Sequence, residues 1–440
     1  MAAQTSGKSG FLGWYFGSNL LVRIMIGLLL GAIVGIALAF SDPGTAQTFV
    51  GYTKFLGDIF IRLLQMIVVP VIFLSLIAGA ASIAPAELGR VGAKTLLYYL
   101  ILVIVAITIG LVLANIFKPG DGLNLTGAAD LQGKASNAPP LSTVLLAIIP
   151  TNIIDSLAKA AVLPIIFFAL CFGVGLSYLR DSKDADLSRK GAMLFDIISA
   201  GAEVMYKIVR GIMEYAPIGV FFLIAGVFAV QGPKVIGPLV FVMALAYVGY
   251  IIHVIVGFGG SLTLFGLNFI TFLRGAQEAM ITAFVTRSSN ATLPISLRVS
   301  EENLGVPRSI SSFTLPIGAT INMDGTAIYL AIGSMFIGFA VGKPLSMDQQ
   351  LVVMITATLG AIGAAGVPGA GALMMLLVLE SVGLKVEAGT AVAAAYAMIL
   401  GVDTVFDMGR TCLNVTGDIV AATVVSKTEG ELDMSKWKKA

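Results

Sequence analysis

The sequence predicts an all-α polytopic membrane protein of eight transmembrane helices and two re-entrant helical hairpins, arranged as inverted repeats. Three observations predict it. The 440-residue chain is 57% hydrophobic and 12% charged, whereas soluble domains carry about 25% charged residues, and its mean hydropathy is +0.95. Six apolar runs long enough to cross a bilayer precede residue 266. Beyond them, polar or glycine-rich breaks interrupt the apolar stretches twice, and each broken pair is followed by a helix bearing intramembrane polar groups.

The six runs are Leu20–Phe40, Gly51–Ala80, Lys94–Phe117, Leu141–Tyr178 with a break near Pro150–Lys159, Leu194–Val230 and Val235–Phe265. Ser41–Gln47, Lys118–Pro140 and Arg180–Lys190 read as aqueous loops from their Pro, Gly, Asp and Lys content. The polar N-terminal segment has no small-residue cleavage site after its apolar run, so the first helix is expected to be retained. Arg90, Lys94, Arg180, Lys183, Arg189, Lys190 and Arg274 fall at ends on one side of the alternating path, against Lys118, Lys134 and Lys234 on the other. The basic side is cytoplasmic, which puts both termini there.

The first break, Thr286–Pro294, separates Phe269–Val285 from Ile295–Val299, and the second, Gly363–Ala372, separates Leu351–Ile362 from Leu373–Leu384. Each flank is too short to span alone, so each pair reads as a hairpin with its tip inside the protein, where irregular backbone is tolerated at membrane depth. A glycine-rich packing surface is the alternative for the second break, and Pro368 within it favours interruption. The helices that follow are Ile310–Val341, containing INMDGT, and Gly401–Lys427. Two broken-helix units of opposite topology point to a binding site at the midplane.

The last helix carries the chemistry. At about 100° per residue, Asp403, Asp407, Arg410, Thr411, Asn414 and Asp418 share one face of a helix that is otherwise apolar. A charge in mid-membrane costs about 2.5–3.5 kcal/mol, so such groups face a protein interior or a solute path. Mutual neutralisation of Asp407 and Arg410, three residues apart, leaves Asp403, Asn414 and Asp418 unexplained. Half-helices starting at about Ala291 and Ala372 offer N–H groups and a positive dipole end to one carboxylate, with Ser288 and Ser289 adding hydroxyls. Arg410 can take a second carboxylate bidentately, and Asp407 can accept an ammonium. The ligand so described is an acidic amino acid. A plain dicarboxylate would leave Asp407 without a cation, and a neutral amino acid would leave Arg410 unpaired. Asn322, Asp324, Asn414 and Asp418, with unwound carbonyls around Gly318 and NMDGT, suit a hard cation.

Other classes fit less well. A net charge of +2 without a basic cluster gives no nucleic-acid footprint. Cys171 and Cys412 lie in apolar helical sequence and read as buried free thiols, and His253, in LAYVGYIIHVIVGF, reads as a packed residue. An intramembrane aspartyl hydrolase using Asp324 and Asp407 is disfavoured because Arg410 would hold Asp407 ionised; an ion channel is the remaining class.

These motifs resemble the glutamate/aspartate (dicarboxylate/amino-acid):cation symporter family, close to its archaeal and bacterial sodium-coupled aspartate transporters. The resemblance covers nearly the whole chain through RLLQMIVVPVIF (Arg62–Phe73), RSSNATLP (Arg287–Pro294), PIGATINMDGT (Pro316–Thr326), GVPGAGA (Gly366–Ala372) and DMGRTCLNVTGD (Asp407–Asp418). It implies a homotrimeric elevator transporter of the cell inner membrane. Its scaffold would comprise residues 1–90 and 121–232, and its mobile domain residues 91–120 and 233–440. Implied substrate contacts are Arg287, Ser288, Ser289, Thr326, Gly366, Val367, Gly371, Asp407, Arg410, Thr411 and Asn414. One implied sodium site uses Gly318, Asn322, Asn414 and Asp418; another uses carbonyls near Thr320, Met323, Ala361, Ile362 and Ala364. The family's third site draws on a tyrosine, two hydroxyl residues, Asn322 and Asp324. Here Tyr99 is present, but Leu102 and Val103 stand where the hydroxyls belong, which puts that site in question and leaves a proton as the alternative. Carriers of neutral amino acids or C4-dicarboxylates belong to the same family and stay open as alternatives.

Overall fold

The computed structural model describes residues 18, 20–82, 90–123, 125, 146, 148–361, 369–387 and 390–437. In chain order its helices are α1 (Leu20–Ala39), α2 (Pro43–Ser82), α3 (Arg90–Phe117), α4 (Ile153–Ala158), α5 (Val162–Arg180), α6 (Ala185–Gln231) and α7 (Ile236–Ile252). A π-helical segment, His253–Gly259, leads into α8 (Gly260–Leu264). There follow α9 (Phe269–Thr286), α10 (Ser289–Glu302), α11 (Arg308–Ile321), α12 (Asp324–Ala340), α13 (Met347–Ala361), α14 (Ala370–Ser381), α15 (Ala391–Gly401), α16 (Asp403–Glu429) and α17 (Met434–Trp437). Among the described residues, five helical stretches are long and apolar enough to cross a membrane, or six if α15 and α16 form one bent span.

The packing of α1 follows from its small residues. Gly27, Gly31 and Gly35 recur every fourth position and so share one helix face. A Cβ on Gly31 would stand 2.5 Å from the Phe221 carbonyl oxygen and one on Gly35 2.6 Å from that of Ala225. Only glycine lets α1 lie so close against α6, as small residues do between membrane helices. The same pair is joined by Arg23 Nη1 to Glu214 Oε2 at 2.6 Å. Helix α6 also packs along α2 and α5. Its N-terminus is capped by Asp184, whose carboxylate accepts from the N–H groups of Asp186 and Leu187 at 2.9 and 3.3 Å. With 40 and 47 residues, α2 and α6 run about 60 and 70 Å at 1.5 Å per residue. Both must tilt or extend beyond a hydrocarbon core of about 30 Å.

The remaining helices gather round α12 and α16. Every residue of α12 except Phe339 is buried, as expected of a helix apolar on all sides. Helix α3 packs on α12, α16 and α7, and at its start Arg90 and Lys94 both pair with Glu429 at the far end of α16.

Several sequence expectations need correction. The loops expected over Ser41–Gln47 and Arg180–Lys190 are short, because Asp42 and Asp184 accept from helix N–H groups and start α2 and α6 within them. The break in the first hairpin is confined to Arg287 and Ser288, and Pro294 lies inside α10. The helix expected over Gly401–Lys427 is continuous, as Asp403–Glu429, whereas Ile310–Val341 is interrupted at Asn322 and Met323, within NMDGT, where unwound carbonyls were expected. The last helix is preceded by an unforeseen α15, bent 62° from α16 at Val402. Cys171 is exposed and Cys412 partly so. Most of the second break lies outside the described residues.

Candidate functional site

The first hairpin, α9–α10, turns on a two-residue tip. Arg287 closes α9 in the left-handed region at φ 55°, uncommon for a residue with a side chain. Ser288 then caps α10, its Oγ accepting from the Ala291 N–H at 3.2 Å. The hydroxyl expected to meet a ligand therefore serves the helix terminus. Arg287 and Ser289 are buried at the tip, and the Arg287 Nε has no hydrogen-bond partner. Both arms of the hairpin pack on α16.

The stripe on α16 is buried along its whole length, from Asp403 to Asp418. Arg410 is its centre. Its Nε donates to Asp407 Oδ1 at 2.9 Å, Nη1 to Asp403 Oδ1 at 2.8 Å and Nη2 to Asp403 Oδ2 at 3.2 Å. Three of five N–H donors are thus engaged, and the guanidinium carbon lies 4.7 Å from the Tyr329 ring centroid, within cation–π range. Asp407, expected to accept an ammonium, is bonded through both of its oxygens. Its Oδ1 also accepts from Thr411 Oγ1 at 3.2 Å, and its Oδ2 accepts from the Gly369 N–H at 3.3 Å.

That last bond brings the second hairpin, α13–α14, to the stripe. A Cβ on Gly371, the second residue of α14, would overlap the Arg410 guanidinium. Ala361 ends α13, while Ile362, Ala364, Gly366 and Val367 lie outside the described residues.

The interruption between α11 and α12 meets the lower stripe. Asn414 Oδ1 accepts from the Gly325 N–H at 2.8 Å, and Asn414 Nδ2 approaches Met323 Sδ at 3.1 Å and Thr326 Oγ1 at 3.3 Å. Asn322 Nδ2 donates to Asp418 Oδ1 at 3.1 Å, and Asn322 Oδ1 is buried without a partner. A Cβ on Gly318 would stand 2.5 Å from both Asp418 Oδ1 and Tyr99 Oη. Gly318, Asn322, Asn414 and Asp418 are thus drawn close together with the Asn322 Oδ1 unsatisfied, and oxygen donors are the type that suits a hard cation. Thr320, between Gly318 and Asn322 at the end of α11, also lines a 770 Å³ cavity between α11 and the helices α2 and α6.

Tyr99 and Asp324 border this group, Tyr99 Oη beside Gly318 and Asp324 Oδ2 beside Asn322 Nδ2 at Gly417, and each has a further partner. The Tyr99 hydroxyl donates to the Thr314 carbonyl at 2.9 Å, and Leu102 and Val103 are buried apolar groups. Asp324 faces His253, whose Nε2 is 3.4 Å from Asp324 Oδ2. The sequence reading missed three neighbours: Tyr329 beneath Arg410, Asp403 as its bidentate partner, and His253. The stripe already contained Asp403; the other two come from distant segments with no local signal.

A buried arginine–carboxylate stripe, met by two helix breaks and a cluster of oxygen donors inside an apolar helical protein, defines an integral membrane carrier for small charged solutes. The model of the sodium:dicarboxylate symporter family matches residues 20–428, and the chain belongs to that family of transporters, not to an enzyme family. It is 35% identical over 424 residues to a proton/sodium-glutamate symport protein of Geobacillus stearothermophilus, covering 94% of this chain and 96% of that protein. It is 35% identical over 426 residues to the proton/glutamate-aspartate symporter of Escherichia coli K12, covering 94% of each. A C4-dicarboxylate transport protein 2 of Mesorhizobium japonicum is 33% identical over 428 residues, with 96% and 92% covered.

Proposed function

We propose that the protein is a secondary active symporter that takes up L-aspartate or L-glutamate with sodium ions. The observation that carries this reading is Arg410, buried between two acids of its own helix and the glycine-lined second hairpin. Its two remaining donors suit a ligand's side-chain carboxylate, while the first hairpin tip offers Arg287, Ser289 and a helix N-terminus to the other. Asp407 would receive the ammonium once Arg410 turns to the ligand. Thr326, Thr411, Asn414, Gly366, Val367 and Gly371 would complete the pocket. Sodium would bind at Gly318, Asn322, Asn414 and Asp418, and at carbonyls near Thr320, Met323, Ala361, Ile362 and Ala364.

The wider reading is an eight-span homotrimer of the plasma membrane with cytoplasmic termini, in which residues 91–120 and 233–440 move against the rest. The packing of α3 on α12 and α16, and of α6 on α1 and α2, supports that division. So does the cavity between α11 and α2–α6, which leaves room for one body to slide past the other. The second hairpin would close only over bound cation and substrate, since otherwise its closed form leaves polar groups unsatisfied.

One observation favours a second reading. Asp407 already accepts from Arg410, Thr411 and Gly369, so a C4-dicarboxylate without an ammonium would not strand it. Concentrative uptake of radiolabelled aspartate into proteoliposomes under a sodium gradient tests the proposal. Uptake driven only by protons would replace sodium in it, competition by succinate equal to that by aspartate would favour the second reading, and no uptake under either gradient would refute both.

A further inference from the structure

Asp324 and His253 present a problem of buried polarity. Both residues are 0% exposed, both carboxylate oxygens and both ring nitrogens lack an ordinary hydrogen-bond partner, and their closest approach is Nε2 to Oδ2 at 3.4 Å. A buried carboxylate left this way is costly unless something positive faces it. Three groups could do so: a bound cation, the Asn322 amide, whose Nδ2 meets Asp324 Oδ2 beside Gly417, or the N–H edge of the imidazole, which alone of these two side chains has no other partner of its own.

The backbone has been shaped for the imidazole. His253 opens the seven-residue π-helical segment within the span, and π-turns are uncommon and concentrated at functional sites. Gly257 receives the ring, since a Cβ there would stand 2.7 Å from His253 Cε1 and 2.8 Å from Nδ1. Phe258 packs edge-on to the imidazole at 4.7 Å between centroids, and the Tyr98 hydroxyl anchors the segment's far side by bonding Ser261. Gly417 keeps the other side open, where a Cβ would come 2.6 Å from Asp324 Oδ2. On α3, Leu102 and Val103 are buried apolar residues with no oxygen to offer, and Tyr99 is already bonded to Thr314.

We propose that His253 is a specificity-determining residue for the coupled ion. By pointing Nε2–H at Asp324 it takes the place a cation would otherwise occupy, so the protein carries its substrate with the ions of the Asn322–Asp418 region and none at Asp324. A neutral imidazole has the one N–H this requires. The inference rests on the sodium-coupled reading above.

The test is equilibrium binding of L-aspartate to the purified full-length protein across sodium concentrations, where the slope of log Kd against log sodium counts the linked ions. A slope of about two is expected in the unmodified protein, and about two again in His253→Gln, which keeps a donor. In the triple variant His253→Ala/Leu102→Thr/Val103→Ser, which exchanges the imidazole for hydroxyls, the slope should rise to about three. If the triple variant does not fold, Gly257→Ala displaces the ring instead, and the slope should likewise rise above about two. A purely packing role for His253 would change affinity without changing the slope. A slope of about three in the unmodified protein, or an unchanged slope in a folded triple variant, would overturn the inference alone. Absence of sodium-linked aspartate binding would overturn it together with the reading beneath it.

Discussion

Arg410 grips both carboxylate oxygens of Asp403, seven residues earlier on the same helix, with Nη1 2.8 Å from Oδ1 and Nη2 3.2 Å from Oδ2. A ligand carboxylate that binds Arg410 bidentately must contend with this pairing. Asp403→Asn should therefore lower the melting temperature without ligand, because the guanidinium loses one of its counter-charges, and enlarge the upward shift on adding aspartate. Thermal melts with and without ligand check this; an unchanged ligand-induced shift would mean the two carboxylates do not compete.

Arg410→Cys removes the positive charge that discriminates between side chains. Losing one partner of a buried charged hydrogen bond costs about 2–5 kcal/mol, so acidic substrates should bind at least about thirtyfold more weakly. Serine should compete as well as before or better. Competition uptake with labelled aspartate and serine measures both arms, and retained aspartate selectivity would contradict the role given to Arg410.

Two glycines separate the solute and ion sites experimentally. Gly371→Ala places a methyl against the Arg410 guanidinium, and should weaken aspartate binding even at saturating sodium. Gly318→Ala places one 2.5 Å from Asp418 Oδ1, and should raise the sodium needed for half-maximal binding while leaving affinity at saturating sodium close to normal. Binding titrations along both axes decide the matter, and identical behaviour of the two variants would argue against separate sites.

The C-terminal segment supplies an acid-sensitive contact outside the membrane. The Asp433 carboxylate accepts from the Ser435 Oγ at 2.7 Å and N–H at 3.0 Å, bonds that hold it below the usual aspartate value. A lowered folded value means its contribution is complete above about pH 3.9 and is lost as pH falls through the lowered value. The same segment bonds to the end of the first hairpin through Asp433 N–H to the Gly305 carbonyl at 2.9 Å, and buries Trp437. In a Trp14→Phe background, Trp437 fluorescence should change on acidification below about pH 3.9, and Asp433→Asn should remove that transition.

The elements legible in the sequence are those whose cause is local. Length and hydropathy yielded the spans because a bilayer demands about 20 apolar residues per crossing, and the 3.6-residue period put Asp403 through Asp418 on one face because helix geometry does not depend on what lies opposite. The bend at Val402 was not legible, and of the break at Asn322–Met323 only an unwinding around NMDGT was. Neither contains proline, and each is stabilised by distant groups: Asn414 accepts the Gly325 N–H across 89 positions of sequence.

By itself the sequence determined that this chain lives in a membrane, that its charges gather on one helix, and that two interruptions precede such helices. Those follow from transfer energies and helix periodicity, which act within a segment. Only the tertiary structure decided who meets whom: that Asp407 is already held by Arg410, Thr411 and Gly369, and that His253, 71 residues away, is the group facing Asp324. The partner of a buried charge is chosen by packing across the chain, because in a medium without water each such group takes whatever donor the fold delivers within about 3 Å.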